Sequence, residues 1–254
     1  MDISGSKAIF VGGASGMCRA TATEFAGKGG QLSILDLESS DGAAVAQELG
    51  GKFYPCNVMD YDDMADVMDS AVSDMGGLHY VVNTAGGGGA QRTLKKDGTR
   101  HSLSDFRRVI DLNLIASFNI NGIAAEHMAK NEPNADGERG VMINTASIAA
   151  FEGQIGQGDY SASKGGVAAS TITFARELAR EGIRVNCISP GLMNTPMLAG
   201  LPDDVRKSLV ATTVFPKRLG NADEYAALAK HMAENRYLNG AVIRLDGALR
   251  MAPR

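Results

Sequence analysis

The sequence predicts an α/β fold: a single domain over residues 1–254, built as a doubly wound, mostly parallel sheet of about seven strands with helices on both faces. Three observations predict it. Short apolar runs alternate with helical patterns along the chain. The first run ends in a glycine-rich turn, GGASGMC, that opens a helix, and the second ends in an acid, Asp36, twenty residues beyond Gly16. A strand, a glycine turn and a helix form a place where a helix N-terminus holds a pyrophosphate. An acid at the end of the next strand accepts from the hydroxyls of a ribose.

Taken in order, Ala8–Val11 reads as the first strand and the ATATEFAGK run as the first helix. Gly12 takes the tight turn, Gly16 lets the backbone approach the phosphates, and Ser15 and Met17 flank it. Leu32–Leu35 is the second strand. Asp36 repels a 2′-phosphate, and neither Leu37 nor Ser15 offers a compensating charge, so the pair predicts NAD rather than NADP. Arg19 lies inside the helix, facing solvent or an acid. Asp41–Leu49 reads as a helix, Lys52–Tyr54 as a strand and Asp60–Met75 as a helix with acids at its positive end. Asn57 and Val58, between them, are placed to flank an adenine. Tyr80–Val82 is a strand that runs into Asn83, Thr84, Ala85 and Gly86, small residues that leave room for a cofactor across the strand ends.

Residues 87–100 form an insertion carrying Lys95, Lys96 and Arg100. Leu103–Lys130 reads as one long helix with Asn113 near its middle, where an Asn is mildly unfavourable. The polar loop NEPNADGERG follows, then a strand at Val141–Ile143 that drops into Thr145 and Ser147. Beyond a glycine-rich loop, Tyr160 and Lys164 stand four apart at a helix start, on one face of it. An ammonium beside a phenol favours the phenolate, so this pairing predicts a Tyr160 that titrates below its usual value of about 10. Such a phenol is a general acid/base for an alcohol oxygen, and Ser147 is placed to hydrogen-bond the same oxygen. After Lys164 the helix continues through Gly165, Gly166, Ala168, Ala169 and Ser170, a small-residue face suited either to a subunit contact or to packing on the sheet. Arg184–Ile188 is a strand ended by Pro190 and Gly191. Residues 191–220 read as a long irregular excursion, a substrate lid. Asn221–Asn235 is a helix with an Asn cap, and Ala241–Leu245 the last strand.

Composition narrows the function. A formal net charge of −4 gives no general attraction to nucleic acid or to an anionic membrane surface. No apolar run reaches the ~18 residues that span a bilayer. The start, MDISGSKAIF, shows no basic region followed by an apolar segment, so the expected location is the cytoplasm. Cys18, Cys56 and Cys187 are scattered, as are the four histidines, and no metal is expected.

With these pieces placed, the chain resembles the short-chain dehydrogenase/reductase family. The residues that carry the resemblance are the Gly12–Gly16 turn, Asn83-Thr-Ala85-Gly86, Asn113, Ser147, the Tyr160/Lys164 pair and Pro190-Gly191, in the family's order and spacing. The resemblance implies that Ser147 orients the substrate oxygen, that Tyr160 transfers the proton, and that Lys164 holds the nicotinamide ribose. It implies that Asn113 distorts its helix and positions a water, and that the assembly is a homotetramer. Two departures stand out. Cys18 occupies the place of the family's third glycine, which predicts crowding of the helix–pyrophosphate approach, and Asn57 replaces the family's Asp. RGVMINTASIAAFEGQIGQ, YSASKGG, FPKRLG and LNGAVIRLDGALRM are similar to the family's 3-hydroxyacyl-CoA dehydrogenase subgroup. By that similarity Gln154 lines the substrate pocket, Met193 and Thr195 contact the nicotinamide end, and the substrate is a 3-hydroxyacyl-CoA. A hydroxysteroid is the alternative substrate, and a dinucleotide-binding scaffold or regulator is the alternative class.

Overall fold

Seven strands form one all-parallel sheet in the order β3-β2-β1-β4-β5-β6-β7. They are β1 (Lys7–Val11), β2 (Gln31–Asp36), β3 (Lys52–Pro55), β4 (Tyr80–Asn83), β5 (Gly140–Thr145), β6 (Ile183–Pro190) and β7 (Val242–Leu245). The computed structural model describes residues 1–195 and 203–253. Its helices are α1 (Gly16–Gly27), α2 (Gly42–Glu48), α3 (Tyr61–Met75), α4 (Leu103–Ile110), α5 (Ala116–Met128), α6 (Gly158–Glu177), α7 (Asp203–Thr212) and α8 (Ala222–Glu234). The chain runs outward in one direction from β1 to β3, then returns to place β4 on the other side of β1. The strands' carboxyl ends therefore open a crevice beside β1 and β4, where such sheets bind ligands.

The strands read as near-continuous apolar runs because both faces of the sheet are buried. Along β1, Ala8 and Phe10 pack under α1, α2 and α8, beside Ala22, Phe25, Val45, Tyr225 and Met232. Ile9 and Val11 point the other way, to Met64, Met68, Ile120, Ala124 and Met128 of α3 and α5. Local chemistry sets the helix ends. Asp60 accepts from the Asp63 amide to start α3, and Gly76, in the left-handed region at φ 70°, ends it. Asn221 and Glu224 form a capping box at the start of α8.

Three expectations change. The helix predicted over 103–130 is α4 and α5 joined by a π-helical turn, Asp111–Ile115, with Asn113 inside it. The excursion at 191–220 is not wholly irregular, since it contains α7. Its two ends are tied together: the Asn194 amide donates to the Gly220 carbonyl at 2.7 Å and the Gly220 amide to the Leu192 carbonyl at 2.9 Å. Met197, Leu198 and Leu201, within that excursion, lie outside the described residues.

Cys18 is the third. Its side chain does not reach the mouth of the glycine turn. It is fully buried under the sheet, with Sγ 3.5 Å from the Val11 carbonyl and 3.7 Å from that of Val82. Burial pushes its thiol up to about 12. The crowding expected at the pyrophosphate approach is absent, because the first turn of α1 aims this position at the strands. Replacing Cys18 by Gly should empty that space and loosen the helix interior, costing about 2 kcal/mol in a urea titration. The native thiol should resist a neutral thiol reagent at pH 8 until the protein unfolds.

Candidate active site

A cleft of about 800 Å³ runs across the carboxyl ends of the strands. It gathers most of the residues singled out in the sequence: Gly12, Ser15, Gly16, Met17, Asp36, Asn57, Val58, Ala85, Gly86, Ser147, Tyr160, Lys164, Pro190, Gly191, Met193 and Thr195 all line it.

At one end, Gly12 has φ +76°, and a Cβ there would stand 3.0 Å from the Ala85 amide nitrogen. The turn can therefore lie against the end of β4 only as glycine. Asp36 faces it. One carboxylate oxygen accepts from the Ala14 amide at 2.9 Å and the other from the Leu37 amide at 2.8 Å. A carboxylate has about four acceptor positions, so capacity remains for a diol. Among the described residues that line the cleft, the one Lys or Arg is Lys164. Arg19, the nearest basic residue of α1 in sequence, is occupied by Glu48 at 2.8 Å. Glycine turn, helix N-terminus and acid fit a dinucleotide held at pyrophosphate and ribose.

At the other end, β5 delivers Ser147 and α6 delivers Tyr160 and Lys164. Lys164 is nearly fully buried, at 4% exposure, and its Nζ donates to the Thr145 carbonyl at 2.8 Å. Burial lowers its pKa to about 8. Tyr160 departs from the expectation. Burial raises its pKa, and the hydrogen bond with Ser147 only partly opposes that. The lysine does not depress it in the free protein, since its ammonium is directed at Thr145 and burial dominates.

Asn113 sits behind this pair, fully buried. Its Nδ2 donates to the Gly87 carbonyl at 2.7 Å and the Val109 carbonyl at 2.9 Å, while its Oδ1 accepts from the Gly87 amide at 3.1 Å. The π turn brings the side chain to the loop after β4 in place of a regular helical position. Asn83 does not line the cleft. It braces the same loop, accepting from the Ala85 amide at 3.0 Å and donating to Ser117 Oγ at 3.1 Å. Gln154 does not line it either; its amide donates to the Ala252 carbonyl at 3.1 Å.

Sequence reasoning missed Gln157, Leu112, Met251 and the stretch Gly87–Ala90, all of which line the cleft. The glycine run was a signal for close approach: a Cβ on Gly88 would come within 2.7 Å of the Tyr160 ring. Gly86 is tighter, with φ +153° and a Cβ that would collide with Asn113 Oδ1 and stand 3.1 Å from Lys164 Nζ. Gly86→Ala should displace both groups and lower kcat/KM on the order of 100-fold. Steady-state kinetics beside an unchanged far-UV spectrum would check it.

A family model described as "Enoyl-(Acyl carrier protein) reductase" matches residues 12–249. The chain is 48% identical to the 3-hydroxyacyl-CoA dehydrogenase type-2 of Drosophila melanogaster, over 99% of this chain and 100% of that protein. It is 47% identical to the protein of the same name from Homo sapiens, over 99% and 97%. The crystal structure of 3-hydroxyacyl-CoA dehydrogenase type-2 from Mycobacterium avium superposes with a TM-score of 0.94 at 40% identity, covering 100% of this chain and 98% of that one. With its Rossmann-like sheet, its dinucleotide cradle and its Ser/Tyr/Lys set, the chain belongs to the short-chain dehydrogenase/reductase family, enzymes that use a nicotinamide dinucleotide for oxidation and reduction.

Proposed function

We propose that this enzyme is an NAD-dependent dehydrogenase that interconverts a 3-hydroxyacyl-CoA and its 3-ketoacyl-CoA, in the cytoplasm, as part of fatty acid metabolism. The observation that carries the reading is the convergence of Ser147, Tyr160 and Lys164 at one end of a cleft whose other end is the Asp36 cradle. The acyl-CoA substrate comes from the names of the relatives. Choice of NAD rests on Asp36, beside which the described residues lining the cleft place no Lys or Arg, because a 2′-phosphate there would meet a carboxylate. Three buried free thiols suit a reducing compartment, and among the described residues no helix is long and apolar enough to cross a membrane.

A nicotinamide dinucleotide, which Gly12, Gly16, Asp36 and Lys164 would hold along this cleft, would supply hydride transfer to and from the carbinol carbon. Tyr160 takes the hydroxyl proton in oxidation and gives it back in reduction. Ser147 orients the substrate oxygen. Lys164 supplies positive charge to the phenolate that develops, holds the ribose, and is protonated below about pH 8. Asn113 holds a water in the proton path. Residues 191–220 act as the lid. Of the basic groups that could meet CoA phosphates, Lys95 and Lys96 sit on an exposed hairpin closed by the Leu94–Arg100 bridge. Arg218 is committed to Glu224 by two bonds of 2.8 Å, which leaves it a weaker candidate.

The assembly is a homotetramer. One interface uses α6 and the α4–α5 helices, where a small groove is lined by Phe118, Asn121, Asn144, Val167 and Phe174. The Oδ1 atoms of Asn121 and Asn144 are buried there without a partner, and Phe118 is 59% exposed. The small-residue face serves both purposes: a Cβ on Gly166 would meet Leu114, while Ala169 faces out. The other interface uses the last helix and strand, around Gly240–Gly247.

Two measurements test the reading. Tyr160→Phe should keep NADH binding, followed by fluorescence, and lose about 100-fold or more of turnover. In the wild type, kcat/KM for ketone reduction should be level below pH 8 and fall above it, as Lys164 loses the charge that favours the phenolate. A variant with near wild-type rate, or a profile level to pH 10, contradicts the mechanism. Separately, 3-hydroxybutyryl-CoA should be oxidised with a much higher kcat/KM than its free acid or a hydroxysteroid, because remote CoA contacts contribute to the transition state. NAD should be preferred to NADP, and Asp36→Ala should narrow that preference. Equal rates for ester and free acid, or a preferred steroid, would discard the acyl-CoA assignment, and tight NADH binding without turnover would favour a scaffold.

A further inference from the structure

Residues 151–157 join Ser147 to Tyr160, so their position governs both. What holds them is the chain that leaves β7. Arg244 lays its guanidinium over Phe151, 5.4 Å from the ring centroid. The same group grips both carboxylate oxygens of Glu152, at 2.9 and 3.0 Å, and its Nε donates to Asp246 at 2.7 Å. Arg250 adds contacts to Glu152 at 3.3 Å and to Asp246 at 3.2 Å. This is the fork-to-carboxylate geometry in which arginine fixes orientation as well as charge.

Beyond Leu249, which is buried, the segment follows the loop. The amide of Gln154 donates to the Ala252 carbonyl at 3.1 Å, and the Ile155 main chain donates to the Pro253 carbonyl at 3.0 Å. The Glu152 carboxyl is held below its usual range, chiefly by Arg244 and in small part by the Met251 main chain. Residues 249–253 are therefore laced to the catalytic loop on both sides of Met251. That methionine lines the cleft with Ser147, Gln157 and Tyr160.

We infer that Met251 is a specificity-determining residue of the substrate pocket, and that Gln154 is a positioning residue that acts on the substrate through the 249–253 segment. The inference rests on the reading that the Ser147–Tyr160 end of the cleft receives the substrate. An unbranched thioether fills space adaptably and meets apolar groups without a fixed shape. It suits a wall facing the alkyl substituent of the carbinol carbon. Gln154 donates to the Ala252 carbonyl, so its route to the substrate is the placement of Met251, the residue just before Ala252.

The test uses the full-length enzyme and a series of 3-hydroxyacyl-CoA thioesters from four to ten carbons, with one 2-methyl-branched member. Met251→Phe should lower kcat/KM about four-fold for each methylene it displaces, so the longest and branched substrates suffer most and the shortest least. Met251→Ala should shift the preference toward longer chains. KM for NAD should stay within about two-fold in both. Gln154→Glu, which keeps the size and removes the donor, should move the profile in the direction of Met251→Ala, and the two changes combined should be no larger than Met251→Ala alone. Chain-length profiles parallel to that of the wild type in both Met251 variants overturn the inference. Additive effects of Gln154→Glu and Met251→Ala overturn the part concerning Gln154. A wild type that ignores the thioesters and oxidises other secondary alcohols discards the acyl-CoA reading alone; the same shift must then appear in a graded series of those alcohols. A wild type inactive on every alcohol overturns both.

Discussion

An ammonium removed from water must be given acceptors, and the position of Lys164 follows from how this chain supplies them. Its Nζ donates to the Thr145 carbonyl, at the last residue of β5. The Thr145 hydroxyl is itself fixed, donating to the Asn83 carbonyl at 2.7 Å and shared with the Tyr225 hydroxyl at 2.7 Å. Asn83 braces the Ala85 amide and reaches Ser117, whose hydroxyl donates to the Asn113 carbonyl at 2.6 Å. Asn113 then grips Gly87 from both sides. One buried network thus runs from α8 through the ends of β5 and β4 to the π turn, with the Lys164 ammonium along its course. Losing one member would strand a buried partner at about 1–3 kcal/mol, so each link also orients the next.

That network leaves almost no space, which accounts for the glycines. Gly86 and Gly88 lie where any side chain would strike Asn113 or the Tyr160 ring, and Gly12 lies where one would press on Ala85. Each glycine gives up about 0.5–1 kcal/mol of conformational entropy relative to Ala. The return is that the backbone itself becomes the wall of the cleft, and Tyr160 and Asn113 stand against it without slack.

What the sequence made legible follows the range over which each signal acts. The strands, the glycine turn, Asp36 and the Tyr160/Lys164 spacing are read from neighbours within a few residues, and all of them appear where expected. The π turn at Asp111–Ile115 is not visible that way, because its cause lies across space, in the bonds Asn113 makes to the loop at Gly87. The direction of the Cys18 side chain depends on how α1 crosses β1 and β4, which no local pattern encodes. Tyr160 was misjudged for a related reason. Its lysine neighbour was evident from spacing, whereas the depth of burial and the competing carbonyl of Thr145 belong to the folded chain. Gln154 is a pocket residue only as the subgroup similarity implies, and its side-chain donor goes to a partner nearly a hundred positions away. Helix α7 has no strong periodicity and was hidden in a segment of mixed character.

The two ends of the cleft are held by different means. The Asp36 end is made from strand ends and the turn between β1 and α1, so its shape is a consequence of the sheet: parallel pairing fixes Val11, Leu35 and Asn83 relative to one another before any side chain is considered. The Ser147–Tyr160 end is bordered by loops, at 87–101, 151–157 and 191–195, held by main-chain bonds such as Asn194 to Gly220 and by side-chain links such as Gln91 to Asp105 at 3.0 Å and Arg244 to Glu152. A sheet-borne site tolerates little change without unfolding, whereas a loop-borne one can be reshaped by altering a tether. Ser147, Tyr160 and Lys164 stand where the two regimes meet, anchored to β5 and α6 on one side and exposed to the tethered loops on the other. The geometry of Ser147, Tyr160 and Lys164 can therefore stay constant while the loops in front of it are altered.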